Sequence, residues 1–303
     1  MLKHNNKTAQ AVQALLSHFN FMISEPELIA YLEPFMVQGS ITDVTDLHNI
    51  PLIARLTPSA SFLPTASIGD IEKFISIIKQ ISVDSTTLLR SVENVLKSTI
   101  SIVVEQCTHS EQWHNNAGLF YRKDCNKNFH SSFLSLFTSK MSYYGNTDEI
   151  TSAEVIFWLL SFTDLSKAFY WLGDALYPAK VQVSKHFGIS KPDVFSFGLR
   201  SLSENVRNLD AHLLPSYRNS NDGSFSDKPK IAMMNPWIST KCNLGKFYGR
   251  MCFLIYLTTN LGDEDSQNAR RRIKCLIQQM PKMTLNYLGI PNGWLNEPLW
   301  LNI

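Results

Sequence analysis

Long hydrophobic runs are missing from this 303-residue sequence. The greasiest stretches, 155–162 and 251–257, fall far short of the roughly 20 apolar residues that span a bilayer, so no membrane segment is expected. Paired cysteines are missing as well. The five present (Cys107, Cys125, Cys242, Cys252 and Cys275) are odd in number and include no C-x-x-C pair. That argues against a disulfide framework and fits a reducing compartment. The opening MLKHNNKTAQ has no apolar stretch or small-residue cleavage site behind it, and the expected location is cytoplasmic. A surplus of one charge is also lacking, since 28 Lys and Arg face 26 Asp and Glu. Any nucleic-acid binding must therefore come from local patches rather than from bulk charge. Nothing reads as G-x-S-x-G, a P-loop or a dinucleotide fingerprint, which leaves hydrolase, NTPase and Rossmann readings without support.

What is present is helical periodicity, with no sustained two-residue alternation. The expected class is all-α. Residues 8–21 and 25–36 read as a short helical pair, and 37–66 as a Pro/Thr/Ser-rich linker. One helix is predicted from about Ser67 through Lys79. Another should start near Asp84, with Ser85 and Thr86 as caps, and reach about Gln106. The stretch 108–128 is polar and irregular. Helices are then predicted at 130–143, 152–172, 176–187, 192–214, 244–261 and 264–280, with Pro192 in a first turn and Gly262 at an end. Residues 216–240 form a Ser/Asn/Asp/Pro-rich loop. The division expected is an N-terminal helical region, 1–128, and a C-terminal helical domain, 129–303.

Two clusters invite a ligand. Cys107, His109, His114, Cys125 and His130 carry the right atoms for zinc, but their spacing matches none of the common zinc patterns. No metal ligand and no cofactor is assigned. Arg270, Arg271 and Arg272, with Lys274, form a basic run on a predicted helix, suited either to RNA phosphates or to a solvated face. Tyr143, Tyr144, Phe169, Tyr170 and Trp171 have the chemistry to stack on bases, although their helical spacing also fits a core. Trp294 and Trp300 are read as packing the tail onto the helical body.

The chemically most telling stretch is Arg207-Asn208-Leu209-Asp210-Ala211-His212. A histidine moves a proton on or off a ribose 2′-hydroxyl at neutral pH, because its reference pKa is about 6.5. An arginine is a permanent planar cation that fits a phosphate gaining charge in a transition state. Leu199, Leu202, Val206, Leu209 and Leu213 form an apolar stripe on the same helix. At about 100° per residue, Arg207 and His212 fall roughly 140° apart. Either the helix loosens around Asp210–His212, or, as is favoured here, a second copy completes the site across a twofold interface built on the 199–213 helix. Asn208 lies one turn before His212, and Glu204 one turn before Asn208. Glu204 has Arg200 and Arg207 as candidate partners. The bland alternative is a solvated helix face in which Glu204 pairs with Arg207.

Residues 200–219, RSLSENVRNLDAHLLPSYRN, resemble the signature of the bacterial Abi-like (abortive infection) family within the HEPN superfamily of helical ribonucleases, approximately L-x-x-x-R-N-x-x-A-H-H-x-R-L-W-N. Residues 154–169, EVIFWLLSFTDLSKAF, resemble that family's W-x-x-x-E-x-x-S-F-G-x-L-S helix. The tail, 288–294 followed by 298–300, resembles its G-F-P-x-x-W … P-L-W ending. The three matches run in the family's order across roughly 150–303. Departures are Leu213 for the second histidine, Pro215 for an arginine and Tyr217 for a tryptophan, with Arg218 and Asn219 shifted in register. Upstream, Glu154 and Trp158 look exchanged, and Thr163 replaces a glycine.

The resemblance implies a HEPN-type bundle and a metal-independent endoribonuclease that leaves 2′,3′-cyclic phosphate and 5′-hydroxyl ends. Arg207, Asn208 and His212 would be catalytic. Glu204, Tyr217, Arg218, Asn219 and Arg270 to Arg272 would support RNA binding. It further implies a toxin of an antiphage or toxin–antitoxin system, a homodimer, no action on DNA, and in certain systems an inhibitory small RNA. The alternative expectation is a catalytically silent RNA-binding or scaffold protein that keeps the fold.

Overall fold

A computed structural model of the chain describes residues 68–143, 153–207, 244 and 246–303, together with Pro26 and Ala30. Of the described residues, 78% are helical and 2% are in strands, which makes the protein mostly helical. The expected helical pair at 8–36 (apart from Pro26 and Ala30, both helical), the linker and the loop at 216–240 lie outside the described residues.

The organising element is α1, Ile68–Thr108, a single helix of 41 residues and so about 60 Å long at 1.5 Å per residue. Two helices with a break near Asp84 were expected. The break is absent because the apolar stripe continues through it. Ile77, Ile78, Ile81, Leu88, Leu89, Val92, Leu96, Ile100 and Val104 are all buried at three- and four-residue steps. Asp84 and Ser85 occupy core-facing places in that stripe. The hydroxyls expected to cap a new helix turn elsewhere. Thr86 donates to the Ser82 carbonyl at 3.1 Å, and Ser85 donates to Met251 Sδ at 3.4 Å.

After α1 come two 3₁₀ turns (Trp113–Asn115 and Ala117–Phe120) and a two-stranded antiparallel hairpin, β1 (Tyr121–Arg122) with β2 (Lys127–Asn128), in which Tyr121 pairs with Asn128. This stretch is polar along the chain, yet it delivers Trp113 and Phe120 fully into the core. Their rings stack 6.1 Å apart. Phe133 adds a centroid 4.7 Å from Phe120, and Phe157 one 5.9 Å from Trp113.

Next are α2 (His130–Tyr143), α3 (Ala153–Leu159), α4 (Phe162–Trp171), α5 (Tyr177–His186) and α6 (Pro192–Leu202). The one helix predicted at 152–172 is two. Ser161 has extended backbone and accepts from the Asp164 amide, while Asp164 accepts from the Ser161 amide. This reciprocal capping box starts α4 afresh. At the far end of α4, Lys180 reaches back to the Leu172 carbonyl at 3.2 Å, over the Phe169 ring. Burial pushes its ammonium pKa down to about 8. The remaining helices are α7 (Phe247–Thr259), α8 (Glu264–Gln279), α9 (Lys282–Tyr287) and α10 (Pro298–Leu301). The tail docks as expected. Trp294 meets Trp300 edge to face at 4.8 Å, and Trp300 Nε1 donates to Tyr248 Oη at 3.0 Å.

One hydrophobic cluster runs from Phe74 to Trp300, and α1 packs on α3, α4, α5, α7 and α8. The division expected at 128/129 therefore does not coincide with an edge of this core. None of the described helices is long and apolar enough to cross a membrane.

Two consequences can be measured. Gly198 of α6 sits against Phe253 of α7, where an added Cβ would lie 2.1 Å from the ring. Alanine favours a helix interior by about 1 kcal/mol over glycine, but overpacking costs about 1–3 kcal/mol or more. Gly198→Ala should therefore lower the melting temperature by several degrees, and an unchanged or raised value would contradict this packing. His114 is buried against Phe137 at 5.9 Å, and its Nδ1 has no hydrogen-bond partner. Burial first, then the neighbouring His130, holds its pKa below the ordinary 6.5. The unfolded chain takes up this proton before the folded one does, so the stability involved is complete above about pH 6.5 and is lost as pH falls through the lower folded value. Denaturation midpoints between pH 7 and 5 should fall in the wild type and fall less in His114→Phe.

Candidate functional site

The R-x4-H segment begins where α6 ends. Pro192 opens α6 at its first turn, a position where its missing N–H costs nothing. Phe195, Leu199 and Leu202 are completely buried. The helix then changes pitch, because Ser203–Arg207 is a π-turn. Its i→i+5 bonds add a residue to the turn, a local widening found often at functional sites. The loosening expected around Asp210–His212 lies outside the described residues; this π-turn precedes it and ends at Arg207.

The π-turn is held on two sides. Val206 is buried to 0% exposure. Ser203 donates its hydroxyl hydrogen to Thr163 Oγ1 at 2.9 Å. Thr163 joins the upstream helix to the segment carrying Arg207. Glu204 takes the first of its two candidate partners, accepting from Arg200 Nε at 2.7 Å across one turn. Asn208, His212, Tyr217, Arg218 and Asn219 lie outside the described residues, as does the side chain of Arg207.

The apolar stripe bears on the expected dimer. Leu199, Leu202 and Val206 are all at 0% exposure within the chain's own core. An interface between copies cannot be built on this half of the stripe.

The arginine run divides into three different roles. Arg270 is 8% exposed, and its Nε is buried without a hydrogen-bond partner. Desolvation lowers its pKa from the usual arginine value, while Asp263 works in the opposite direction. Arg271 is exposed. Arg272 leaves its run to grip buried Asp84, with Nε at 2.9 Å and Nη2 at 2.6 Å from the same oxygen. Lys274 donates to the carbonyls of Trp300 and Ile303 and so ties down the tail. Three of the four cations are thus taken up by the fold, and Arg271 is the one left facing solvent.

The histidine and cysteine set is also dispersed. His130 Nε2–H donates to the His114 carbonyl at 3.0 Å, while the His114 ring lies among aromatics. Among the described residues no group of three or more His, Cys, Asp or Glu is placed to hold a metal ion. Among the described residues no cysteine forms a disulfide. Of the aromatics considered for stacking, Phe169 is fully buried, Trp171 stacks on Phe129 and Tyr170 lies under the Arg122 guanidinium at 4.3 Å.

Sequence reasoning missed one feature beside this region. Trp158 of α3 is 51% exposed and borders an open groove of about 470 Å³ with Glu93, Lys97, Ser139, Lys140 and Ser161. Lys97 pairs with Glu93 at 2.7 Å and donates to the Trp158 carbonyl at 3.3 Å. Lys140 pairs with Asp164 at 2.9 Å. Burial alone would raise the Asp164 pKa, but hydrogen bonds from Lys140 and Ser161 hold it below the usual carboxylate range. The exposed face was hidden because Trp158 sits in an otherwise apolar run, EVIFWLL, which reads as core.

Comparison of the sequence with models of known protein families finds no match, and comparisons with curated proteins and with solved structures find none.

The Asp84–Arg272 pair gives a direct check on the basic run. Arg272→Ala leaves a buried carboxylate without its charged donor, at a cost of about 1–3 kcal/mol. Chemical denaturation should show that loss in Arg272→Ala and little change in Arg271→Ala. Equal stability of the two variants would mean that the pair does not hold α8 to α1.

Proposed function

We propose that this chain is a HEPN-type, metal-independent endoribonuclease acting as a toxin in a bacterial antiphage or toxin–antitoxin system. The observation that carries the reading is the Arg207, Asn208 and His212 motif together with the local architecture leading into it. A π-turn ends at Arg207, and it is hydrogen-bonded through Ser203 to Thr163 of the upstream motif.

In this reading His212 takes the proton of a ribose 2′-hydroxyl. The freed O2′ attacks the adjacent phosphorus, and the bond to the 5′-oxygen breaks. That oxygen leaves as a hydroxyl after taking a proton from the imidazolium, directly or through water, and a 2′,3′-cyclic phosphate remains. Arg207 balances the charge that builds on the phosphorane oxygens. Asn208 orients the imidazole or the phosphate through its amide. DNA lacks the nucleophile and is not cut. A second copy, joined outside the buried half of the 199–213 stripe, would supply the paired motif of a dimer. Glu204, Tyr217, Arg218, Asn219 and Arg271 are the supporting residues in this scheme, whereas the ion pair of Arg272 and the burial of Arg270 favour structural roles for those two. An active ribonuclease in a cytoplasm needs restraint, for which a small RNA or a protein partner would serve.

A silent RNA-binding protein is the second reading, favoured by Leu213 and Pro215 in place of a histidine and an arginine. Cleavage of total bacterial RNA by purified protein in excess EDTA separates the two. The wild type should cut and leave cyclic-phosphate ends, and His212→Ala should lose activity by about 10²–10⁴-fold. Unchanged cutting by His212→Ala, or no cutting by wild type stripped of bound RNA, would overturn the nuclease reading.

A further inference from the structure

The groove beside Trp158 carries chemistry that the cleavage motif does not use. Its floor and rim come from three elements, with Glu93 and Lys97 on α1, Ser139 and Lys140 near the end of α2, and Trp158 to Ser161 across the α3–α4 junction. At about 470 Å³ it lies within the range of small-molecule sites, roughly 300–1,000 Å³.

The charges define what fits. Both lysines already hold a carboxylate, Lys97 with Glu93 at 2.7 Å and Lys140 with Asp164 at 2.9 Å. The groove therefore carries no net charge and is poorly suited to a bare phosphate. The indole of Trp158 is half exposed, with the Lys97 ammonium 6.0 Å from its centroid. A flat, neutral ring that carries hydrogen-bond donors and acceptors on its edge satisfies all of this. It can stack on Trp158 while its edge meets Glu93, Lys140 and the hydroxyls of Ser139 and Ser161.

The position matters equally. Ser161 lines the groove, and two residues on, Thr163 accepts the hydrogen bond from Ser203 that anchors the π-turn ending at Arg207. Groove and cleavage motif are thus fastened to the same end of α4.

We infer that this groove is the seat of an unpaired RNA base, with Trp158 as its stacking platform. The inference rests on the proposed action on RNA and adds the device that selects single strands, because a base inside a duplex must first be unpaired and unstacked, at a cost of about a few kcal/mol, to enter the groove. Trp158 is here a positioning residue that fixes the strand relative to His212. It takes no part in the chemistry.

The test uses the full-length chain carrying His212→Ala, so that RNA survives the titration. Its affinity for a fluorescein-labelled adenosine hexamer is measured by anisotropy with and without Trp158→Ala. Base–aromatic stacking predicts a weakening of about 5- to 150-fold, with Trp158→Phe retaining most of the affinity and the far-UV circular dichroism unchanged. A set of hexamers with one abasic residue at each position supplies the specific readout. One position should cost affinity in the Trp158 protein and cost nothing further in Trp158→Ala. Equal affinity of the two proteins, an abasic penalty that is the same in both, equal binding of a duplex, or no binding of RNA would each overturn the base seat. Trp158-dependent binding by a wild type that fails to cleave would sink the nuclease reading and leave the seat standing. Cleavage with binding indifferent to Trp158 would do the reverse.

Discussion

Burial of the apolar stripe of α1 is the constraint on which the rest of the described structure depends. A 41-residue helix gains little net stability from its own hydrogen bonds, and most of its stability comes from what covers its apolar face. Here five helices do so, from α3 to α8. Each large aliphatic side chain removed from water contributes about 1.5–3 kcal/mol. The polar groups within the stripe are matched across the interface. Asp84 meets Arg272, Ser85 meets Met251, and Ser91 meets Ser266 at 2.8 Å. These pairs set the rotation of α1 against α7 and α8, because a helix turned by one residue would leave Asp84 buried and unpaired.

Secondary structure was legible wherever the period of hydrophobicity was regular. Apart from the break at Ser161 and the end expected at 214, which lies outside the described residues, the bounds expected for the helices after residue 130 fall close to those observed, and Pro192 and the tail tryptophans act as their chemistry suggested. The failures share a cause. Asp84-Ser85-Thr86 reads as a cap because local hydrogen bonding by such residues competes with a helix, but a distant arginine and a distant methionine satisfy two of them inside it. The break at Ser161 carried a readable signal, serine followed three residues later by aspartate, which the apolar run on both sides outweighed. Trp113 and Phe120 were hidden in polar company. Their burial depends on a 3₁₀ turn and a hairpin, which have no sequence period.

The candidate site was legible as a motif and not as a surface. Nothing in the spacing of Ser203 and Thr163 announces that they meet. Nor could the sequence tell that Arg272 is held by Asp84, 188 positions away, while Arg271 faces solvent. Ion pairs of that kind are settled by tertiary packing. A π-turn is equally invisible, since no sequence period marks the added residue, although Val206 stays buried beyond it. What these features share is α4. Its capped start receives the π-turn through Thr163 and lines the Trp158 groove through Ser161, so a short capping box orients both parts of the proposed machinery.

The long reach of the α1 contacts also says something about how this protein is made. Its closest polar matches bridge 166, 175 and 188 positions of chain. During synthesis at roughly 5–20 residues per second, α1 would wait on the order of 10–40 s for α7 and α8 to leave the ribosome. Throughout that interval α3, α4 and α5 can cover only part of its greasy face, and the rest has no native partner. A product truncated before α7 lacks two of the helices that cover α1 and cannot complete this core, so premature termination yields a chain without its native packing.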